Sequence, residues 1–271
     1  MSTSTVPPVR WAVLGPGSIA RRFVSQLPSC PGASLVAIGS SDPQRAARFA
    51  AEQAPDLTLR TGSYDEILAD EGVDAVYLST VHTTHPSLAI AALEAGKHVL
   101  CEKPLAANHA SVMAMAEVAR RTDRVLLEAY MYRFHPQNRA VLELVAGGAV
   151  GEVQHVDASF SFRAGERSGR LFDPATAGGG ILDVGGYPVS YARAILGAAS
   201  GRGVPRAVTA ALSVRPGSTS GRSPISPSPA APRRACGRAS RWQTPPRSPC
   251  TARAAPCTSA IPGRSGPSSG S

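Results

Sequence analysis

The stretch VRWAVLGPGSIA, Val9 to Ala20, decides the fold. Val9 to Leu14 is a short apolar run that stops at Gly15, and Ile19 to Leu27 then shows helical spacing, so strand, glycine turn and helix follow one another. Gly15 permits a tight turn, Gly17 lets the backbone approach a pyrophosphate, and Ala20 stands where a small residue allows close packing of helix on sheet. Ser18 and Ile19 open the helix, whose N-terminal amides suit phosphate groups. The same glycines could make a purely structural turn; the strand before them and the helix after them favour cofactor binding.

Outward from this turn, strands and helices alternate. Ser34 to Ile38 reads as a strand, Pro43 to Glu52 as a helix capped by Asp42, and Ala75 to Ser79 as a strand. Pro86 to Ala95 reads as a helix stopped by Gly96, His98 to Cys101 as a strand, Ala107 to Arg121 as a helix and Val125 to Glu128 as a strand. The alternation predicts an α/β fold, a Rossmann NAD(P)-binding domain over 8–128 with a parallel sheet covered on both faces. At the end of the second strand, where an acid would accept the ribose hydroxyls of NAD, stand Ser40 and Ser41, with Arg45 one helical turn on. That combination tolerates a 2′-phosphate and leans towards NADP over NAD. Equally, Ser40 and Ser41 read as loop residues and Asp42 as a helix cap.

From Ala129 the character changes. Pro136 to Ala146 reads as a helix, Gly151 to Phe162 as a long alternating strand, and Ile181 to Leu196 as a helix approached through Gly178, Gly179 and Gly180. A second, α+β substrate domain is expected over 129–213, incomplete because a strand begun near Ala207 runs at Val214 into a segment without periodicity. All 19 acidic residues precede Val214, and the net charge of +9 comes from nine arginines in 214–271. That tail, half Pro, Ser and Gly, is expected to be disordered. With Trp242 its sole aromatic residue, it does not favour a nucleic-acid partner. Neither a secretory leader nor a membrane span is legible, so a cytoplasmic location is expected. The five cysteines lack paired metal-ligand spacing, and no metal is expected.

Two segments carry chemistry. In AALEAGKHVLCEKPLA, residues 91–106, Lys103 stands just beyond a strand's C-terminal end, where a lysine can stabilise a developing alkoxide or relay a proton. In GGGILDVGGYPVSYA, residues 178–192, Asp183 and Tyr187 are four apart and share a helix face. Helix, glycine stop, strand and Glu102-Lys103-Pro104 resemble the signature of the Gfo/Idh/MocA oxidoreductases. The Asp183 and Tyr187 pair resembles the branch holding glucose-fructose oxidoreductase, dihydrodiol dehydrogenase and D-xylose dehydrogenase. The resemblance implies hydride transfer between NAD(P) and a sugar, polyol or dihydrodiol, with Lys103, Asp183 and Tyr187 as the acid/base group and a cis Lys103-Pro104 bond. It also implies cofactor contacts at Glu102, Thr80, His82 and His85, and substrate or cofactor contacts at Arg133 and His135 within EAYMYRFHPQ, 128–137; Phe160, Phe162 and Arg163 are candidates to line a sugar site. Ordinary alternatives stand beside these: Asp183 as a helix cap, the histidines as satisfied loop residues, Tyr187 and Phe160 as core.

The resemblance covers roughly residues 8–213, whereas family members usually continue for another sheet. Shifting the codon frame by two bases lets 217–231 be re-read as VDEWAVADLAFPGG, which alternates like a strand. A frame change between Ala211 and Gly217 is therefore expected, a reading that the underlying nucleotides can refute. Family members are usually homo-oligomers, which the missing sheet puts in doubt here. A dinucleotide-binding relative without catalysis is the alternative function.

Overall fold

The computed structural model describes residues 7–163, 169–201, 203, 205, 207–209 and the backbone of 242–243. The chain divides into two units: the first takes Met1–His135 and Ala164–Gly186, the second Pro136–Arg163 and Tyr187–Ser213, with later residues shared between them. In the first unit, β1 (Val9–Leu14), β2 (Ala33–Gly39), β3 (Arg60–Gly62), β4 (Ala75–Leu78), β5 (His98–Cys101) and β6 (Leu126–Glu128) form one sheet. All its pairings are parallel and its order is β3-β2-β1-β4-β5-β6. This is the doubly wound order with its crossover at β1 and β4, where such sheets bind ligands beyond the strands' C-terminal ends.

Helices cover both faces because the strands are apolar on both. In β1, Ala12 and Leu14 pack with Val76, Leu78, Val99 and Cys101 on one face, under α3 (Tyr64–Leu68), α4 (His85–Glu94) and α5 (His109–Thr122). Val13, between them, points the other way with Ile38 and Tyr77, under Val24 of α1 (Ser18–Gln26) and Phe49 of α2 (Pro43–Gln53). Each Val, Leu, Ile or Phe among them, when fully buried, contributes about 1.5–3 kcal/mol of transfer free energy. No described helix is long and apolar enough to cross a membrane.

The second unit holds α6 (Pro136–Ala146), β7 (His155–Val156) and α7 (Gly186–Ser200), whose core joins Val145, Val156, Ala192 and Ile195. The strand expected over Gly151 to Phe162 is corrected here to two residues, His155 and Val156. They pair antiparallel with β8 (Trp242–Gln243) and with no other described strand. Strand geometry persists only where neighbouring backbone accepts its hydrogen bonds, and this partner is two residues long. Ala207–Thr209, expected to start a strand, carries none. The expected disordered tail, apart from Trp242 and Gln243, lies outside the described residues.

Candidate active site

The glycine turn is built as its residue types require. Gly15 has φ +92°, and a Cβ there would stand 2.6 Å from Thr80 Cγ2 and 2.9 Å from the Thr80 nitrogen. Only glycine allows the end of β4 to approach β1 so closely. Gly17 precedes α1 in extended conformation, and a Cβ on it would meet nothing nearer than 3.9 Å, so the space above it is open. No side chain caps α1 and no acid lies in its first turn, while Ser18 and Ile19 are exposed and Ala20 is buried. Open space, uncapped amides and a small third position fit a dinucleotide pyrophosphate.

Arg45, in the first turn of α2, donates from Nη2 to the Pro16 carbonyl at 3.0 Å. It thereby ties the glycine turn to the end of β2, where Ser41 is exposed. Ser40 is 1% exposed and its hydroxyl accepts from the Asp42 amide, which leaves Ser41 and Arg45 as the outward groups. Asp42 caps α2 through Gln44 N at 3.0 Å.

Lys103 lies just beyond β5, and its bond to Pro104 is cis. Its Nζ donates to the Asp183 carbonyl at 2.6 Å and stands 3.4 Å from Asp183 Oδ1. Both side chains are mostly buried, at 17% and 15% exposure, so their attraction is less screened than on the surface. Arg170 Nη2 lies 3.8 Å from the same carboxylate oxygen. Asp183 sits in a single π turn, Ile181–Gly185, ahead of α7; π turns are frequent at functional sites. Gly186 follows because a Cβ there would overlap the Tyr130 hydroxyl.

Glu102 is held from two sides. Tyr77 Oη donates to its Oε1 at 2.6 Å and the Lys103 amide to its Oε2 at 3.2 Å. Burial, reinforced by the Glu102 charge, drives the Tyr77 phenol well above its ordinary pKa, so it stays a donor. Thr80 receives the Thr84 hydroxyl at 2.8 Å. His82 is buried, its Nε2 3.1 Å from the Ala177 carbonyl. His85 is buried at the start of α4, with Nδ1 3.0 Å from Pro104 O and Nε2 3.2 Å from Thr80 O.

The structure thus brings Lys103, Glu102 and Asp183 together, and His85 bridges the carbonyl of Pro104, the residue after Lys103, to that of Thr80. Arg133 and His135 are exposed, Arg133 in a short 3-10 turn, Met131–Phe134, and His135 just after it. Tyr187 belongs to the second unit, where its ring meets Phe160 edge to face with centroids 5.1 Å apart; Arg163 of that unit is exposed. Three residues escaped the sequence reading: Tyr77, Glu128 and Arg170. Glu128 alone carried a signal, a single acid ending the apolar run Val125 to Leu127.

Residues 9–130 match the family described as oxidoreductase family, NAD-binding Rossmann fold, and residues 138–226 match its C-terminal domain, which runs past the expected frame change. A D-xylose 1-dehydrogenase (NADP(+)) from Haloferax volcanii is 38% identical over 188 residues, 69% of this chain and 57% of that protein. The mouse (Mus musculus) trans-1,2-dihydrobenzene-1,2-diol dehydrogenase is 36% identical over 192 residues, 70% of this chain and 57% of its own. Among solved structures, a 3-ketoreductase from Actinomadura kijaniata in complex with NADP and TDP-benzene superposes with a TM-score of 0.63 at 32% identity, covering 70% of this chain and 57% of that one. The chain spans somewhat more than half the length of these relatives.

Proposed function

Since the chain belongs to the Gfo/Idh/MocA oxidoreductase family, we propose that it binds NADP in preference to NAD and transfers hydride between it and a CH–OH group of a sugar, polyol or dihydrodiol. The observation that carries this reading is the Lys103 ammonium held on Asp183 at the C-terminal end of the sheet, on the same side as the glycine turn. The nicotinamide C4 supplies the hydride acceptor. Gly15, Gly17 and the first amides of α1 would hold the pyrophosphate, and Arg45 with Ser41 would take the 2′-phosphate. In the oxidation direction the carbinol O–H proton would pass to Tyr187, and Asp183 holds Lys103 in place. The names of the relatives support both the NADP preference and the substrate class.

Titration with NADPH and NADH, followed by nicotinamide fluorescence, and an assay with NADP and a panel of aldoses and dihydrodiols test the reading. NADPH is expected to bind more tightly than NADH. Lys103→Ala is expected to lower turnover by about 10²–10⁴-fold, the usual worth of a positioned acid/base group. Turnover unchanged in Lys103→Ala removes the assignment. NADPH binding with no activity on any substrate would instead establish a dinucleotide-binding protein without turnover.

A further inference from the structure

We infer that His85 and Glu128 are positioning residues for Lys103, gripping from opposite ends the peptide plane that follows Pro104. The carbonyl of Pro104 and the amide of Leu105 are the two poles of one rigid unit. His85 Nδ1 faces the Pro104 carbonyl at 3.0 Å and Nε2 the Thr80 carbonyl at 3.2 Å, and the tautomer protonated at Nδ1 donates to Pro104. Glu128 Oε1 accepts from the amide at 2.8 Å. The two side chains come from different elements, the first residue of α4 and the last of β6, so neither depends on the Lys103 loop for its own place. Burial holds the Glu128 pKa above the ordinary carboxylate value, with the Leu105 amide opposing, and lowers that of His85.

On the other side of Lys103, its own amide is bonded to Glu102, which Tyr77 holds. The backbone is thus pinned before and after the residue, and only the side-chain torsions remain to aim Nζ at Asp183. Catalytic groups need placement within about 0.5 Å, and packed, hydrogen-bonded supports supply it. The inference rests on Lys103 being the proton-handling group of the proposed reaction.

The chain contains two lysines, Lys97 and Lys103, which makes the test internal. Lys97 is 6% exposed and donates to the Asp70 carbonyl at 2.7 Å, at the N-terminal end of β5, so it reports loosening of the fold at large. The full-length chain is treated with limiting N-acetoxysuccinimide, and acetylation of each lysine is followed by peptide mass spectrometry. Glu128→Ala and His85→Ala are each expected to raise the Lys103 rate relative to Lys97 by about tenfold, the upper worth of one intramolecular hydrogen bond. Glu128→Gln, which keeps an oxygen acceptor for Leu105 N, is expected to stay within about twofold of the parent. Rates that rise equally at both lysines, or that do not rise at Lys103 in either alanine variant, overturn the inference. Either alanine variant suffices if the other does not fold. The readout needs no turnover, so an inactive parent chain refutes the proposed reaction while leaving this test intact.

Discussion

Arg45 reaches back 29 positions in sequence to the Pro16 carbonyl, and that reach makes its role testable. A guanidinium fixed by one hydrogen bond keeps further N–H donors for a phosphate, to which they bond more strongly than to a neutral ribose hydroxyl. Arg45→Ala is therefore expected to weaken NADPH about tenfold or more while changing NADH little, as measured by fluorescence titration. Equal weakening of both would reduce Arg45 to a support of the glycine turn. Gly15, Gly17 and Lys103 were legible as residues because each occupies a position where its chemistry has few substitutes. Tyr77 and Arg170 were not, since a tyrosine inside an apolar strand and an arginine in a loop acquire their meaning from what faces them. His85 shows the same limit: it was expected to touch cofactor, yet it is 1% exposed and both its ring nitrogens face backbone carbonyls.

Elements were legible where their end signals are local. Asp42 followed by Pro43 begins α2 as expected, the carboxylate accepting from Gln44 N and Pro43 filling a position whose N–H would have no helical partner. Asp42→Ala is expected to cost about 1 kcal/mol of stability, checked by denaturant unfolding, with the m-value unchanged. Short elements were missed. β3 is three residues, Arg60–Gly62, with no apolar run to mark it, and it exists because Gly39 and Ile38 of β2 leave an edge to pair. α3 did carry a signal, the Ser63 and Glu66 capping box, in which Ser63 Oγ accepts from Glu66 N and Glu66 Oε2 accepts from Ser63 N. The long strand expected after Gly151 failed for the opposite reason: alternation states a preference, and a sheet must supply the partner.

At the scale of the molecule, the first unit's sheet is fastened near its N-terminal edge by Arg10 and Asp74. Arg10 donates to Asp74 through its backbone amide at 2.8 Å, Nε at 2.9 Å and Nη2 at 2.7 Å, joining the start of β1 to the residue before β4. The side-chain bond to Arg10 lowers the Asp74 pKa from 3.8 to about 2. A carboxylate lowered on folding stabilises the native state above its unfolded pKa and loses that contribution as pH falls through its folded one, here between about pH 4 and about pH 2. Both side chains are over a third exposed, so screening keeps the effect modest. Asp74→Asn is expected to lower Tm by a few degrees at pH 7 and to match the parent near pH 2; an equal gap at both pH values would refute the linkage. By itself the sequence determined the alternation of strands and helices, the dinucleotide turn and the signature lysine, because periodicity, caps and glycine turns act within a few residues. Only the tertiary structure decided that Asp183, 80 positions from Lys103, meets its ammonium, that Glu128 and His85 close on the peptide beyond it, and how little of the second unit's strand persists. Contacts across such separations depend on sheet order and loop course, which no local pattern encodes.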